Sequence, residues 1–286
     1  NVIGYIHSSE MFKSTGTWQQ HICKMPFVPE SMQAQKLMEQ FLQILKQVTV
    51  NSCDNGEQFT DTTRLLAIEN LLKESNYELL YRGNLTMLYC KRRPKVGERV
   101  VLVSTHIDTV YSHCFAQERD GYLHGTFDNS YSNAATIWNM LNGKFADNVI
   151  IAFTGDEEED SRGAIETVCA LGRMQCNIAF AIVLDVSNEG WEQQASFTIE
   201  NDLGIDIFTA HRLVEILSPY SGKYAYVHDA EPDESWDYDE YGIPCFTLCA
   251  PVLGDMHSDE GVLLRKESFP AYPDVLAKVA NNILGS

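Results

Sequence analysis

The stretch NVIIAFTGDEEEDSRGA, residues 148–164, joins an apolar run to five consecutive acidic side chains at 156–160 and then to a turn of small residues. Its apolar half does not alternate with polar residues, the pattern of a strand covered on both faces. Three other runs share the pattern: RVVLVST at 99–105, IAFAIVL at 178–184 and IPCFTLCA at 243–250. Helical segments are predicted between them, near 130–142, 163–171 and 204–217, and Gly143 and Gly172 stand where helix C-caps belong.

Upstream, Leu37, Met38, Phe41, Leu42, Leu45 and Val48 follow helical spacing from Met32 onward. A second helix is predicted over 61–76 with Leu65, Leu66, Ile68, Leu71 and Leu72 inward, followed by strands in ELLYR and NLTMLYCKR. Strands alternating with helices predict an α/β fold, a three-layer α/β/α sandwich with a mixed, mainly parallel central sheet. No Pro/Gly/Ser-rich linker divides the chain. The expected organisation is an aperiodic N-terminal extension over 1–31 and one catalytic domain over 32–286.

The chain has 286 residues, 44% of them hydrophobic, enough to bury a sizeable core. Its 21 basic and 40 acidic residues give a net charge of −19, which repels phosphate backbones and anionic lipid. Nucleic acid and membrane partners are therefore not expected, and no apolar run approaches the roughly 20 residues of a bilayer span. The start of the chain shows no basic-then-apolar leader. The eight cysteines are scattered with no CxxC pair, and Cys245 and Cys249 read as small buried strand residues. Together these set the expectation of a cytoplasmic protein.

Each buried run ends in polar residues of one kind. RVVLVST leads into His106 and Asp108; NVIIAFTG into Glu157 and Glu158; IAFAIVL into Asp185; and IPCFTLCAP, after a short loop, into His257. Ligand sites in α/β sheets form beyond the carboxyl ends of strands. Histidine and carboxylate there are the composition of a metal site. Asp128, in HGTFDNS just before a predicted helix, could bridge two ions with one oxygen to each.

HID at 106–108, DGYLHGTFDN at 120–129, DEEEDSRGA at 156–164, VLDVS at 183–187, YGIP at 241–244 and MHSDE at 256–260 resemble, in this order, the co-catalytic di-zinc exopeptidase clan. That clan spans zinc aminopeptidases and the deacetylase/dipeptidase group. The resemblance implies two divalent ions, zinc first with cobalt or manganese as alternatives, bridged by Asp128. One ion would be completed by His106 and Asp185, the other by Glu158 and His257. Glu157 would be the general base, and Asp108 would orient the His106 ring. Asp156, Glu159 and Asp160 would stand outside the ligand set. The implied substrate is a peptide or an N-acyl amino acid, and assembly into a homo-oligomer is left open.

Hydrolysis of an unactivated amide needs an activated water and stabilisation of a tetrahedral oxyanion, and two adjacent metal ions supply both. An unliganded glutamate then shuttles the proton. The segment between Asp185 and His257 is too short for the inserted domain of the deacetylase/dipeptidase group, which favours the aminopeptidase side. A deacylase or dipeptidase is the alternative enzyme, and a non-catalytic metal-binding or interaction domain the alternative of another class. A one-zinc cyclase is a lesser alternative.

Relatives often carry glycine where this chain has Tyr131 and Asp160, so bulk at these positions is expected to narrow the site or to shift the helix after Asp128. His113, His124, His211 and His228 fit no pattern and read as structural or surface residues. The acidic segment 228–240 reads as a solvated loop and helix start, or as a cleft wall that greets a substrate ammonium. Asp255, Asp259 and Glu260 either orient His257 or mark the N-terminus of a helix.

Overall fold

A computed structural model describes residues 30–52, 58–228 and 230–285 of the chain. All but the last two positions of the expected 1–31 extension fall outside the described residues. The helices are α1 (Glu30–Val48), α2 (Thr63–Leu72), α3 (Ser130–Leu141), α4 (Arg162–Arg173), α5 (Ile207–Leu217), α6 (Glu234–Glu240) and α7 (Ala271–Asn282). The strands are β1 (Glu78–Arg82), β2 (Thr86–Cys90), β3 (Arg99–His106), β4 (Ala116–Arg119), β5 (Tyr122–Gly125), β6 (Val149–Thr154), β7 (Asn177–Ser187), β8 (Phe197–Leu203), β9 (Tyr224–Val227), β10 (Cys245–Leu253) and β11 (Val262–Arg265).

The main sheet runs β1-β2-β6-β3-β7-β10-β8-β9. Its centre, β6-β3-β7-β10, is parallel, while β2 joins β6 and β8 joins β10 antiparallel. The outer end of β10 also pairs with β11, which carries the β5–β4 hairpin. The four central strands were the four apolar runs of the sequence, and their parity splits two cores. Val101, Val103, Ile151, Phe153, Ile182 and Leu184 share one core with residues of α1, α2, α3, α5 and α7 on one face, where α3 and α7 pack on the strands. Val100, Leu102, Ile150, Ala152, Ala181 and Val183 meet α4 and α6 on the other. With both faces covered, every position demands an apolar side chain, so no alternation shows in the sequence. The expected three-layer α/β/α sandwich around a mixed sheet is the observed fold.

Three local expectations need correction. In α2, Leu65, Ile68 and Leu72 are buried, but Leu66 is 44% exposed, and Arg64 is fully buried in its place. The inward stripe follows i, i+3, i+7 from Leu65, and Arg64 lies four residues before Ile68 on the same face, whereas Leu66 is turned away. Gly143 does end α3 with a left-handed φ of 65°. Gly172 instead lies inside α4, where the N–H of Met174 still donates to the Ala170 carbonyl, and Gln175 takes the left-handed position at φ 57°. Finally, no helix follows the His257 loop, which runs into β11.

Tyr131 does not narrow a cleft. Its ring is fully buried against Phe41, 5.3 Å between centroids, and Tyr272, 5.4 Å away, so α3 turns it into the apolar core. Asp160 is exposed, near Arg162.

Candidate functional site

The parallel order of β6, β3, β7 and β10 sets their carboxyl ends side by side, and the loops leaving them carry the polar residues. His106 is the last residue of β3, and Asp185 lies near the end of β7. Glu157 and Glu158 sit between β6 and α4, Asp128 just ahead of α3, and His257 between β10 and β11. The six side chains converge. Nε2 of His106 lies 3.1 Å from Oδ1 of Asp128, 3.6 Å from Oδ1 of Asp185 and 3.8 Å from Oε2 of Glu157. Nε2 of His257 lies 3.7 Å from the other Asp128 oxygen, Oδ2, and 3.8 Å from Oε2 of Glu158.

Ligand atoms of His106, Asp128 and Asp185 therefore fall within 4.8 Å of one another, as do those of Asp128, Glu158 and His257. The trio of His106, Glu157 and Glu158 meets the same limit, so both glutamates reach the centre. Asp108 stands behind it. Its Oδ1 is 3.5 Å from Nδ1 of His106, and its Oδ2 accepts the Glu158 main-chain N–H over 3.1 Å.

The acidic turn is shaped by the residues after it. Asp156 adopts a left-handed backbone at φ 69° and accepts two hydrogen bonds of 2.5 Å from the Arg162 guanidinium. Gly163 follows because a Cβ there would lie 2.5 Å from the Gly155 carbonyl oxygen and 2.7 Å from that of Leu85. Arg-Gly thus clamps α4 onto the end of β6 and leaves Glu157 and Glu158 facing the cleft, while Glu159 and Asp160 are exposed. On the far side, Asp255 accepts the main-chain N–H of His257, and Asp259 takes those of Ser112 and His113. The Tyr111 hydroxyl donates to the Met256 carbonyl, pinning the His257 loop to the loop after β3.

Crowded carboxylates hold protons. Burial, reinforced by the Asp128 charge, pushes Glu158 up to about 8 and raises Asp185 well above the ordinary carboxylate range. Glu157 is raised by burial and then by Asp128 and Asp108. Burial opposes a charged His106, yet Glu157 and the neighbouring aspartates outweigh it and lift the imidazole well above its usual value. Both ring nitrogens of His106, Oδ1 of Asp108, Oδ1 of Asp128 and Oε1 of Glu158 are buried without a hydrogen-bond partner among the described residues. Each such atom costs about 1–3 kcal/mol. A pair of divalent cations would satisfy Nε2 of His106 and the Asp128 and Glu158 oxygens and remove the repulsion, so the residues present fit the metals that the resemblance implies.

A cleft of about 530 Å³ opens over the centre. Besides the residues above, it is lined by Glu189, Glu200, Glu231 and Asp233. The segment 228–240 is therefore not simply solvated. Asp233 caps α6 through the Ser235 N–H and, with the Glu231 carbonyl, accepts from Asn201 on β8. Glu234 is buried, its Oε2 accepting from Ser104. No sequence signal marks Glu200, because an acid inside FTIENDL reads as a surface residue and hides strand β8. His113, His124, His211 and His228 lie outside the cleft lining.

Among the described residues no helix is long and apolar enough to cross a membrane. No family model matches the chain, and no curated protein matches it in sequence. Solved structures do share its fold. The TET1 peptidase of Pyrococcus horikoshii, which can assemble into a tetrahedron or a large octahedral shell, superposes with a TM-score of 0.64 at 11% identity, over 85% of this chain and 99% of its own. The LapA aminopeptidase of Legionella pneumophila gives 0.59 at 13% identity, over 96% and 78%. The YXEP protein of Bacillus subtilis, a dinuclear metal binding peptidase of the M20 family, gives 0.59 at 12% identity, over 87% and 98%. At such identities the likeness is one of architecture.

Proposed function

We propose that the chain is a di-metal hydrolase of peptide or amide bonds, acting as an exopeptidase of the aminopeptidase type. One observation carries the reading: the two oxygens of Asp128 face two different His–carboxylate sets, 3.1 Å from His106 and 3.7 Å from His257. His106, Asp128 and Asp185 would hold one ion, zinc in the first instance, and Asp128, Glu158 and His257 the other. The fold shared with a dinuclear metal binding peptidase and with an aminopeptidase supports the same reading.

Bound there, the ions would polarise the scissile carbonyl and make a water nucleophilic near neutral pH. Glu157 takes the proton of the attacking water and returns it to the leaving amine. Its carboxylate lines the cleft and belongs to neither proposed ligand set, which leaves it available for both transfers. Asp108 holds the His106 ring with one oxygen and the Glu157–Glu158 turn with the other, so base and ligands keep one geometry. His257, its side chain 62% exposed, stands at the mouth, where substrate enters.

The test combines metal analysis with turnover of aminoacyl-arylamides and N-acyl amino acids. Two ions per chain are expected, with arylamides hydrolysed. Glu157→Gln should keep both ions and lose about 100–10,000-fold in kcat. Unchanged turnover in this variant removes Glu157 from its role. A zinc-loaded wild type that hydrolyses neither substrate class overturns the hydrolase reading.

A further inference from the structure

The cleft holds far more negative charge than two metal ions and a general base require. Glu189, Glu200, Glu231 and Asp233 line it in addition to the central carboxylates, and among the described residues no lysine or arginine does. Glu200 is set apart by its burial at 5% exposure, deep on β8, rather than on a solvated loop. Its carboxylate accepts from the Thr198 hydroxyl, and none of the described ion pairs includes it. Neutral hydroxyl and thiol partners offset only part of the desolvation cost of a buried carboxylate, and a cationic ligand would offset more.

Strand register gives the distance. Asp185 on β7 pairs with Cys249 on β10, which pairs in turn with Thr198 on β8. Glu200 stands one row deeper, beside Thr247 and on the same face. Two strand spacings across and two residues along therefore put the backbone of Glu200 about 12 Å from that of Asp185. Between them lies Cys249, whose small side chain leaves the floor open; Cys249 and Ser187 both reach the Glu200 carboxylate.

We propose that this depression receives a lysine or arginine side chain of the substrate's N-terminal residue, with Glu200 as its charge partner and Glu231 and Asp233 on the wall above. The inference rests on the peptidase reading given above, whose substrate it narrows. A substrate's α-ammonium cannot account for Glu200, because it lies only two bonds from the carbonyl carbon under attack and stays beside the metal centre. A lysine ammonium four methylenes out, or an arginine guanidinium, spans the gap. Asn201, by holding the Glu231 carbonyl and the Asp233 carboxylate against β8, keeps the wall in place.

The experiment measures kcat/KM of the zinc-loaded protein for lysyl-, arginyl-, leucyl- and glutamyl-arylamides, in wild type and in Glu200→Gln and Glu200→Asp. Lysyl and arginyl substrates should lead leucyl by about 10-fold or more, with glutamyl last. In Glu200→Gln the lysyl-to-leucyl ratio should fall by on the order of 100-fold, and Glu200→Asp should restore part of it. Equal or better hydrolysis of leucyl substrate by wild type, or an unchanged ratio in Glu200→Gln, overturns the inference while leaving the peptidase reading intact. In parallel, thermal shifts of the same zinc-loaded protein compare free lysine with norleucine, its uncharged counterpart. Selective stabilisation by lysine, lost in Glu200→Gln, upholds the cationic pocket even if no arylamide is cleaved. Equal shifts with norleucine overturn it.

Discussion

The main-chain N–H of Glu158 donates to Oδ2 of Asp108 over 3.1 Å, while Oδ1 of the same carboxylate faces the His106 ring at 3.5 Å. One side chain thus fixes two strand ends that are far apart in the sequence. Removing it with Asp108→Ala should lower metal affinity or kcat/KM by about 10–100-fold. Asp108→Asn, which keeps an acceptor for Glu158, should lie between. Metal titration by calorimetry beside steady-state rates checks this; a wild-type metal affinity and rate in Asp108→Ala would remove its positioning role.

Metal removal should make stability depend on pH in a defined direction. In the metal-free protein Glu158 is raised from 4.5 to about 8, and Asp185 is raised well above 3.8. Between those limits the folded state keeps protons that the unfolded state has lost, so stability is full below the unfolded pKa values and falls as pH rises through the folded ones. The raised His106 acts in the same direction. The melting temperature in chelator should drop by on the order of 5 °C from about pH 5 to about pH 8, and added zinc should recover most of that loss. A chelated protein whose melting point climbs over this range contradicts the crowded-carboxylate picture.

Asp156 is buried against the Arg162 fork, which holds its carboxyl below the ordinary range. Arg162→Met should cost about 1–2 kcal/mol near neutral pH, less than a fully buried pair because the arginine side chain is 60% exposed. A depressed folded pKa contributes stability above the unfolded value of 3.8 and loses it as pH falls through the folded one, so the deficit should shrink in acid. Urea unfolding at two pH values measures it, and a deficit that persists in acid argues for a loss of packing instead.

Among the described residues, the fully buried Tyr131 hydroxyl finds no hydrogen-bond partner. Tyr131→Phe should change stability by less than about 1 kcal/mol and leave kcat/KM unaltered, whereas Tyr131→Ala should cost about 3–5 kcal/mol through the cavity it opens. A Tyr131→Phe variant with altered substrate preference would place the residue at the cleft after all.

Much of the architecture was readable from the chain because the central strands are covered on both faces and must be apolar throughout. The elements that escaped have physical reasons. In β8 the acid of FTIENDL hides a buried strand. The strands β9 and β11 span only four residues each, too few to establish a period. Helix α7 carries Pro273, which suggests a break but falls in the first turn, where a missing N–H costs nothing. Leu65 and Leu66 are indistinguishable in the sequence because leucines fill consecutive positions, and only packing selects which of them faces the core.

By itself the sequence determined that four buried runs end in histidine or carboxylate, and that the acidic turn is followed by Arg-Gly. Those are local properties, set by solvation and backbone sterics. Which acids share a centre, and which stand about 12 Å off in the same cleft, was decided only by the strand order β6-β3-β7-β10-β8. That order differs from the order along the chain, and burial of two apolar faces selects it. Glu200 therefore faces the cleft that Asp185 enters because a sheet has placed three strands edge to edge, a neighbourhood that no spacing in the sequence encodes.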